Sequence, residues 1–169
     1  GLAKAARENK AKHPDKADFY EGVAIALEGA SLFMRRYAEL ARSMAKSAAQ
    51  PAELLEIARV CDKLAANPPE TYREAVQASW FLYVILQMES NASSFSPGRM
   101  DQYLYSYYKK DVASGALSPE DALEITECLF LKFNQIVYLR SAGSAKYFAG
   151  FPIGFNVAVG GQDENGGCA

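Results

Sequence analysis

The chain has 169 residues, 50% hydrophobic and 22% charged, with 18 lysines and arginines against 20 aspartates and glutamates and a formal net charge of -2. That composition supports one core of ordinary size, hence one domain or part of a larger one. Basic residues are scattered among carboxylates and no apolar run approaches the roughly 20 residues that span a bilayer, so neither nucleic acid nor a membrane is an expected partner.

The first ten residues include Lys4, Arg7, Glu8 and Lys10 and lack the continuous apolar stretch of a signal peptide, so a cytoplasmic setting is expected. Cys61, Cys128 and Cys168 are widely spaced and odd in number, which argues against a disulfide framework. Cys61 and Cys128 fall within helical patterns, where a free cysteine acts as a small buried hydrophobe. The lone histidine, His13, sits in a lysine-rich leader without the partners a zinc site needs.

From residue 17 to about 48, Phe19, Val23, Leu27, Phe33, Tyr37, Leu40 and Met44 recur at helical spacing among Glu21, Glu28, Arg35, Arg36 and Arg42, which predicts one long amphipathic helix. Pro51 opens a second helix through Leu54, Ile57, Val60 and Leu64, with Glu53 and Glu56 suited to its N-terminal end. Asn67-Pro68-Pro69 stops it. A third begins near Glu70 and is apolar over most of its circumference from Trp80 to Met88, the pattern of a helix buried within a larger body. Turn formers and hydroxyls at residues 90–98 then predict a loop.

Helix resumes from Arg99 to about Ser114, rich in tyrosine, with Gly115 as its stop. Ser118-Pro119-Glu120-Asp121 combines an N-cap hydroxyl, a first-turn proline and two acids, and starts a helix expected to reach about Leu139. A glycine- and serine-bearing connection at residues 141–144 leads to Gly154-Phe155-Asn156-Val157-Ala158-Val159-Gly160-Gly161, whose glycine-bounded apolar run predicts a buried strand at 155–159. One strand needs partners, and the sequence offers too few.

Two segments depart from routine scaffold. Residues 87–103 follow a buried helix with a dense set of hydroxyl, amide, carboxylate and guanidinium groups, which must pair internally or read a ligand. Arg99 and Asp101 can serve there by capping the next helix and holding the loop. Residues 150–162 end in Gly160-Gly161 without a phosphate-cradling fingerprint, so a strand closing in a tight turn is the plain alternative to a direct role for the glycines. One histidine in a polar leader rules out a Ser-His-Asp or Cys-His site. The residues by themselves lead to the helical part of a larger α/β protein.

At these segments the sequence resembles the glycyl radical enzymes, the pyruvate formate-lyase-like family that includes glycerol dehydratase, choline trimethylamine-lyase and hydroxyproline dehydratase. The resemblance is carried by Pro68-Pro69-Glu70-Thr71-Tyr72-Arg73-Glu74-Ala75-Val76-Gln77, by Leu86-Gln87-Met88-Glu89-Ser90-Asn91 with Ser96-Pro97-Gly98-Arg99-Met100-Asp101-Gln102-Tyr103, and by Asn156-Val157-Ala158-Val159-Gly160-Gly161-Gln162. These lie in family order from about Phe19 onward.

The resemblance implies an α/β fold: a mostly helical fragment of a ten-stranded β/α barrel, with residues 1–169 as part of one incomplete domain and a barrel strand near the C-terminus. It implies a dehydratase or lyase that cleaves a C–O, C–N, C–S or C–C bond of a small organic substrate by thiyl and glycyl radical chemistry. The sequence contains neither a Gly-Cys-Val-Glu-like cysteine loop nor an Arg-Val-x-Gly-like glycine loop, so it supplies no catalytic residue itself and would be inactive as given. No bound cofactor or metal is implied; the radical would be installed by an S-adenosylmethionine-dependent iron–sulfur activating enzyme acting on a homodimeric parent.

Family pocket positions carry over at three residues. Ser93 and Ser94 align with the His-Ser pair that contacts hydroxylated substrate in diol dehydratases, and Phe151 aligns with an aromatic pocket wall. Serine at 93 cannot reproduce the reach or acid–base behaviour of imidazole, which argues against glycerol dehydration. Ser94 retains a hydroxyl able to orient a polar substrate. Within the class, pyruvate formate-lyase itself is the runner-up, although no adjacent Cys-Cys pair is present. A noncatalytic helical interaction domain, using amphipathic helices as a binding face, is the alternative outside it.

Overall fold

The computed structural model describes residues 1–90, 95–136, 141–148, 156–162 and 166–167. The chain divides into two compact units, residues 1–69 and 70–169.

The first unit holds α1 (Leu2–Lys12), a 3-10 turn (Pro14–Lys16), α2 (Ala17–Ala45) and α3 (Pro51–Leu64), with α2 packed against both other helices. Periodicity predicts an inward face containing Phe19, Tyr37, Leu40 and Met44, but the structure leaves all four exposed. The face that α2 buries is instead Ala24, Met34, Ala38, Ala41 and Ala45, with Leu27 and Ser31 half-buried. These positions alternate spacings of three and four, as a helix seam does, and their small side chains admit close neighbours. The polar leader forms α1, with only Ala6 buried. Arg7 spans Glu21 (3.2 Å) and Glu28 (2.8 Å) on α2, and Lys10 reaches Glu21 (3.0 Å).

Pro51 occupies the first turn of α3 as predicted. Cys61 is 1% exposed and burial pushes its thiol up. Cys128, in the second unit, is exposed rather than a buried hydrophobe.

The second unit contains α4 (Tyr72–Ser90), α5 (Met100–Ala113), α6 (Pro119–Phe133) and α7 (Ala142–Phe148), with α4 packed on α5 and α6. Its core joins Tyr72, Val76 and Tyr83 of α4, Met100 and Leu104 of α5, and Leu129 and Phe133 of α6. The predicted burial of α4 is one-sided: Phe81 and Tyr83 are buried, whereas Leu82, Leu86 and Met88 are exposed.

Polar chemistry fixes how α4 begins. Glu74, 1% exposed, accepts from the amides of Glu70 (2.9 Å) and Thr71 (3.3 Å), while the Glu74 amide donates to Thr71 Oγ1 (3.2 Å). This reciprocal capping box satisfies amides that a helix start leaves without intrahelical partners. Asp111, 5% exposed near the end of α5, accepts from the Tyr72 amide at 2.7 Å, and Lys110 donates to the Glu70 carbonyl. Two ends of different helices are thereby tied through backbone groups.

Gly115 ends α5 with φ +71, its amide on the Val112 carbonyl (3.0 Å) and the Ala116 amide on the Asp111 carbonyl (2.9 Å). This is the left-handed stop that a glycine serves best. Ser118 caps α6 as predicted, accepting from the Asp121 amide at 3.0 Å. The helix stops at Phe133, short of Leu139, where the Asn134 side chain donates to the Phe130 carbonyl (3.1 Å); residues 137–140 lie outside the described set. The predicted connection at 141–144 contains a helix start instead: the Ser144 amide donates to Ser141 Oγ (3.3 Å) as α7 begins.

The structure is thus mostly helical, and among the described residues no strand forms. Of the predicted strand, Phe155 lies outside the described set and Val157 makes a single parallel bridge to Gly98. A lone extended segment cannot build a sheet without further strands.

Candidate functional site

The two unusual sequence segments meet in the second unit. Serine, proline and glycine at 96–98 cannot extend α4, and Gly98 adopts φ +72, a conformation that favours glycine. Beside this turn lie residues 156–162. Besides the bridge from Gly98 to Val157, the Asn156 amide donates to Ser96 Oγ at 3.1 Å. Tyr103 turns back from α5 to donate to the Pro97 carbonyl at 3.1 Å.

Arg99 and Asp101 provide the strongest link. Arg99 Nη2 donates to the carbonyls of Gly160 (2.8 Å) and Gln162 (3.1 Å), and Asp101 Oδ2 accepts from the Gly160 amide (2.7 Å). Arg99 is the N-cap residue of α5 yet its side chain makes no capping bond. Both side chains therefore reach a turn about sixty residues downstream, while Asp101 Oδ2 also accepts from Gln102 Nε2 (3.3 Å) in its own helix. Gly160 and Gly161 have φ +78 and +91, and a Cβ at Gly161 would lie 3.3 Å from Arg99 Nη2. The glycine pair is a tight turn under a guanidinium, in keeping with the structural option for this motif.

The Gly160 amide, and secondarily the Gln102 contacts and the Arg99 charge, hold the Asp101 carboxyl below the usual carboxylate range. These groups all favour its charged form. Next to the clasp an apolar cavity of about 190 Å³ opens between Leu104 and Tyr108 of α5, Phe130 of α6, and Val157 and Val159. Among the described residues no cluster of three or more histidine, cysteine or carboxylate side chains is arranged to hold a metal, and no helix is long and apolar enough to cross a membrane.

Ser93, Ser94 and Phe151, the three candidate substrate contacts, lie outside the described residues. The described residues flanking them, 95–98 and 156–162, are the ones that meet. Sequence spacing singled out Arg99 and Asp101 as a polar pair, but not their partners, since no local pattern announces a bond to a distant backbone.

The family model for pyruvate formate lyase-like proteins matches residues 1–169. The chain belongs to the pyruvate formate lyase-like family. It is 41% identical over 149 residues to the probable dehydratase YbiW of Escherichia coli (strain K12), covering 86% of this chain and 18% of that protein. It is 43% identical over 123 residues to trans-4-hydroxy-L-proline dehydratase of Clostridioides difficile, covering 70% and 16%. The crystal structure of a glycyl radical enzyme from Archaeoglobus fulgidus superposes with a TM-score of 0.91 at 33% identity, over 99% of this chain and 23% of that one. The pyruvate formate lyase-like chain thus has glycyl radical enzymes as its relatives and spans about a fifth of their length.

Proposed function

We propose that this chain is part of a longer glycyl radical enzyme, a dehydratase or lyase that cleaves a C–O, C–N, C–S or C–C bond of a small organic molecule. The observation that carries this reading is the family match over the whole chain, with the two most specific segments clasped together by Arg99 and Asp101. In this reading residues 1–169 are one incomplete piece of the barrel domain. Residues 155–159 become a barrel strand once neighbouring strands cover both edges, as the parallel bridge at Val157 favours. The thiyl cysteine and the glycyl loop come from other parts of the enzyme, and a separate S-adenosylmethionine-dependent activating enzyme installs the radical. The parent works as a cytoplasmic homodimer.

Ser94 orients a polar substrate by hydrogen bonding and Phe151 forms an apolar wall, while Ser93 stands where an imidazole would serve diol substrates. Radical storage and substrate positioning use different residues, so they separate in kinetics. In the anaerobically activated parent, Ser94→Ala and Phe151→Ala are expected to keep the glycyl radical signal and lose turnover. Wild-type turnover and KM in both variants would return these residues to scaffold.

A further inference from the structure

We propose that Arg99 and Asp101 are positioning residues: from the start of α5 they set the register of residues 156–162 against 95–98, fixing the frame from which both segments face a substrate. That consequence for substrate rests on the functional reading above; the register itself does not.

Register along an extended segment is weakly specified when few pairs hold it. Here one parallel bridge and one bond to Ser96 also link the two segments among the described residues. Arg99 and Asp101 add what these lack, because they read backbone groups of opposite kind. The guanidinium takes the carbonyls of Gly160 and Gln162, and the carboxylate takes the Gly160 amide. Sliding the segment by one residue would turn these backbone groups to the opposite side, leaving the guanidinium and the carboxylate without their partners.

The glycines complete the fit. Gly161 lies close beneath Arg99: an added Cβ would sit 3.3 Å from Nη2 and press on the guanidinium, at a φ of +91 that side chains rarely adopt. Asp101 also bears a cost: its Oδ1 is buried and takes no hydrogen bond among the described residues. A half-satisfied carboxylate is an expensive helix residue. A short apolar side chain would fill the space without that cost, but it could not hold the turn.

Backbone amide exchange, resolved by NMR in the 169-residue chain, tests the assignment in Asp101→Ala, Asp101→Asn and Ser118→Ala. Asp101→Ala should speed exchange of the Gly160 amide by about tenfold or more, the protection of one charge-assisted bond, and leave α4 to α6 within about twofold. Asp101→Asn, which keeps an acceptor in the same place, should restore most of that protection. Ser118→Ala removes the cap of α6 and should show the converse pattern, with α6 amides accelerated and Gly160 protected. If Asp101→Ala does not fold, Arg99→Ala reports the same local loosening through amides 160–162.

An unprotected Gly160 amide in the wild type would overturn the proposal. So would a uniform acceleration across α4 to α6, or equal losses in the alanine and asparagine variants. These readouts need no turnover, so they stand or fall separately from the radical chemistry. In the activated parent, Asp101→Ala should raise KM with the radical signal retained; unchanged KM and kcat would remove the link to substrate.

Discussion

Replacing the buried Asp111 of α5 by alanine should destabilise the second unit. The side chain is 5% exposed and its Oδ2 accepts from the Tyr72 amide at 2.7 Å, where Tyr72 is itself buried at the first turn of α4. That amide is one of the donors a helix start cannot satisfy internally. Removing a charged acceptor from a buried donor costs about 1.5–3 kcal/mol. The neighbouring Lys110, 3.6 Å from Oδ1 and 58% exposed at its side chain, adds little. The loss should therefore be about 2–3 kcal/mol, a factor of roughly 30 to 150 in the folding equilibrium. Asp111→Asn, which retains an acceptor, should lose less than half as much. Urea unfolding followed by tryptophan fluorescence reports this directly, since Trp80 packs against Phe133 in the same core. A change below about 0.5 kcal/mol for Asp111→Ala, within the range of ordinary surface substitutions, would refute the claim that the two helix ends are tied through this carboxylate.

Three further outcomes are expected. Gly161→Ala should cost about 1–2 kcal/mol, from left-handed strain plus the contact with Arg99, in the same unfolding assay; a neutral result would remove the close approach. The Asp101 carboxyl, held below the usual carboxylate range by the Gly160 amide, contributes stability that is present above its unfolded value and lost as pH falls through the lower folded value. Its carboxyl resonance and the Gly160 amide should titrate together, and a midpoint at or above that of an ordinary aspartate would contradict the bond. In a Cys168→Ser background, a thiol reagent should modify exposed Cys128 under native conditions and reach buried Cys61 only on unfolding. Equal rates would count against the burial of α3.

What local chemistry dictates was legible in the sequence. Ser118-Pro119 and Gly115 mark helix ends because cap and stop act within a few residues, and both stand where the spacing places them. The inward face of α2 was not legible, because hydrophobicity favours Phe19, Leu40 and Met44 over the alanines that allow α1 and α3 to approach. Ser141 resembles a linker residue until its hydroxyl is seen receiving the Ser144 amide. Arg99 and Asp101 stood out as polar neighbours, yet their partners lie 59 to 63 residues away on the backbone, where side-chain patterns carry no signal. The glycine-bounded apolar run at 155–159 predicts a strand, but a strand is a property of pairing, and among the described residues Val157 has one bridge. The pocket positions Ser93, Ser94 and Phe151 rest on family resemblance, outside the described residues.

The measurement that bears most directly on the central claim is electron paramagnetic resonance of the longer protein carrying this chain, after anaerobic incubation with its activating enzyme, S-adenosylmethionine and reductant. A glycine-centred radical doublet that disappears when the C-terminal loop glycine is changed to alanine is the predicted result. A parent protein that lacks both the cysteine loop and the glycine loop, or that has both and yields no such signal on activation, would contradict the assignment.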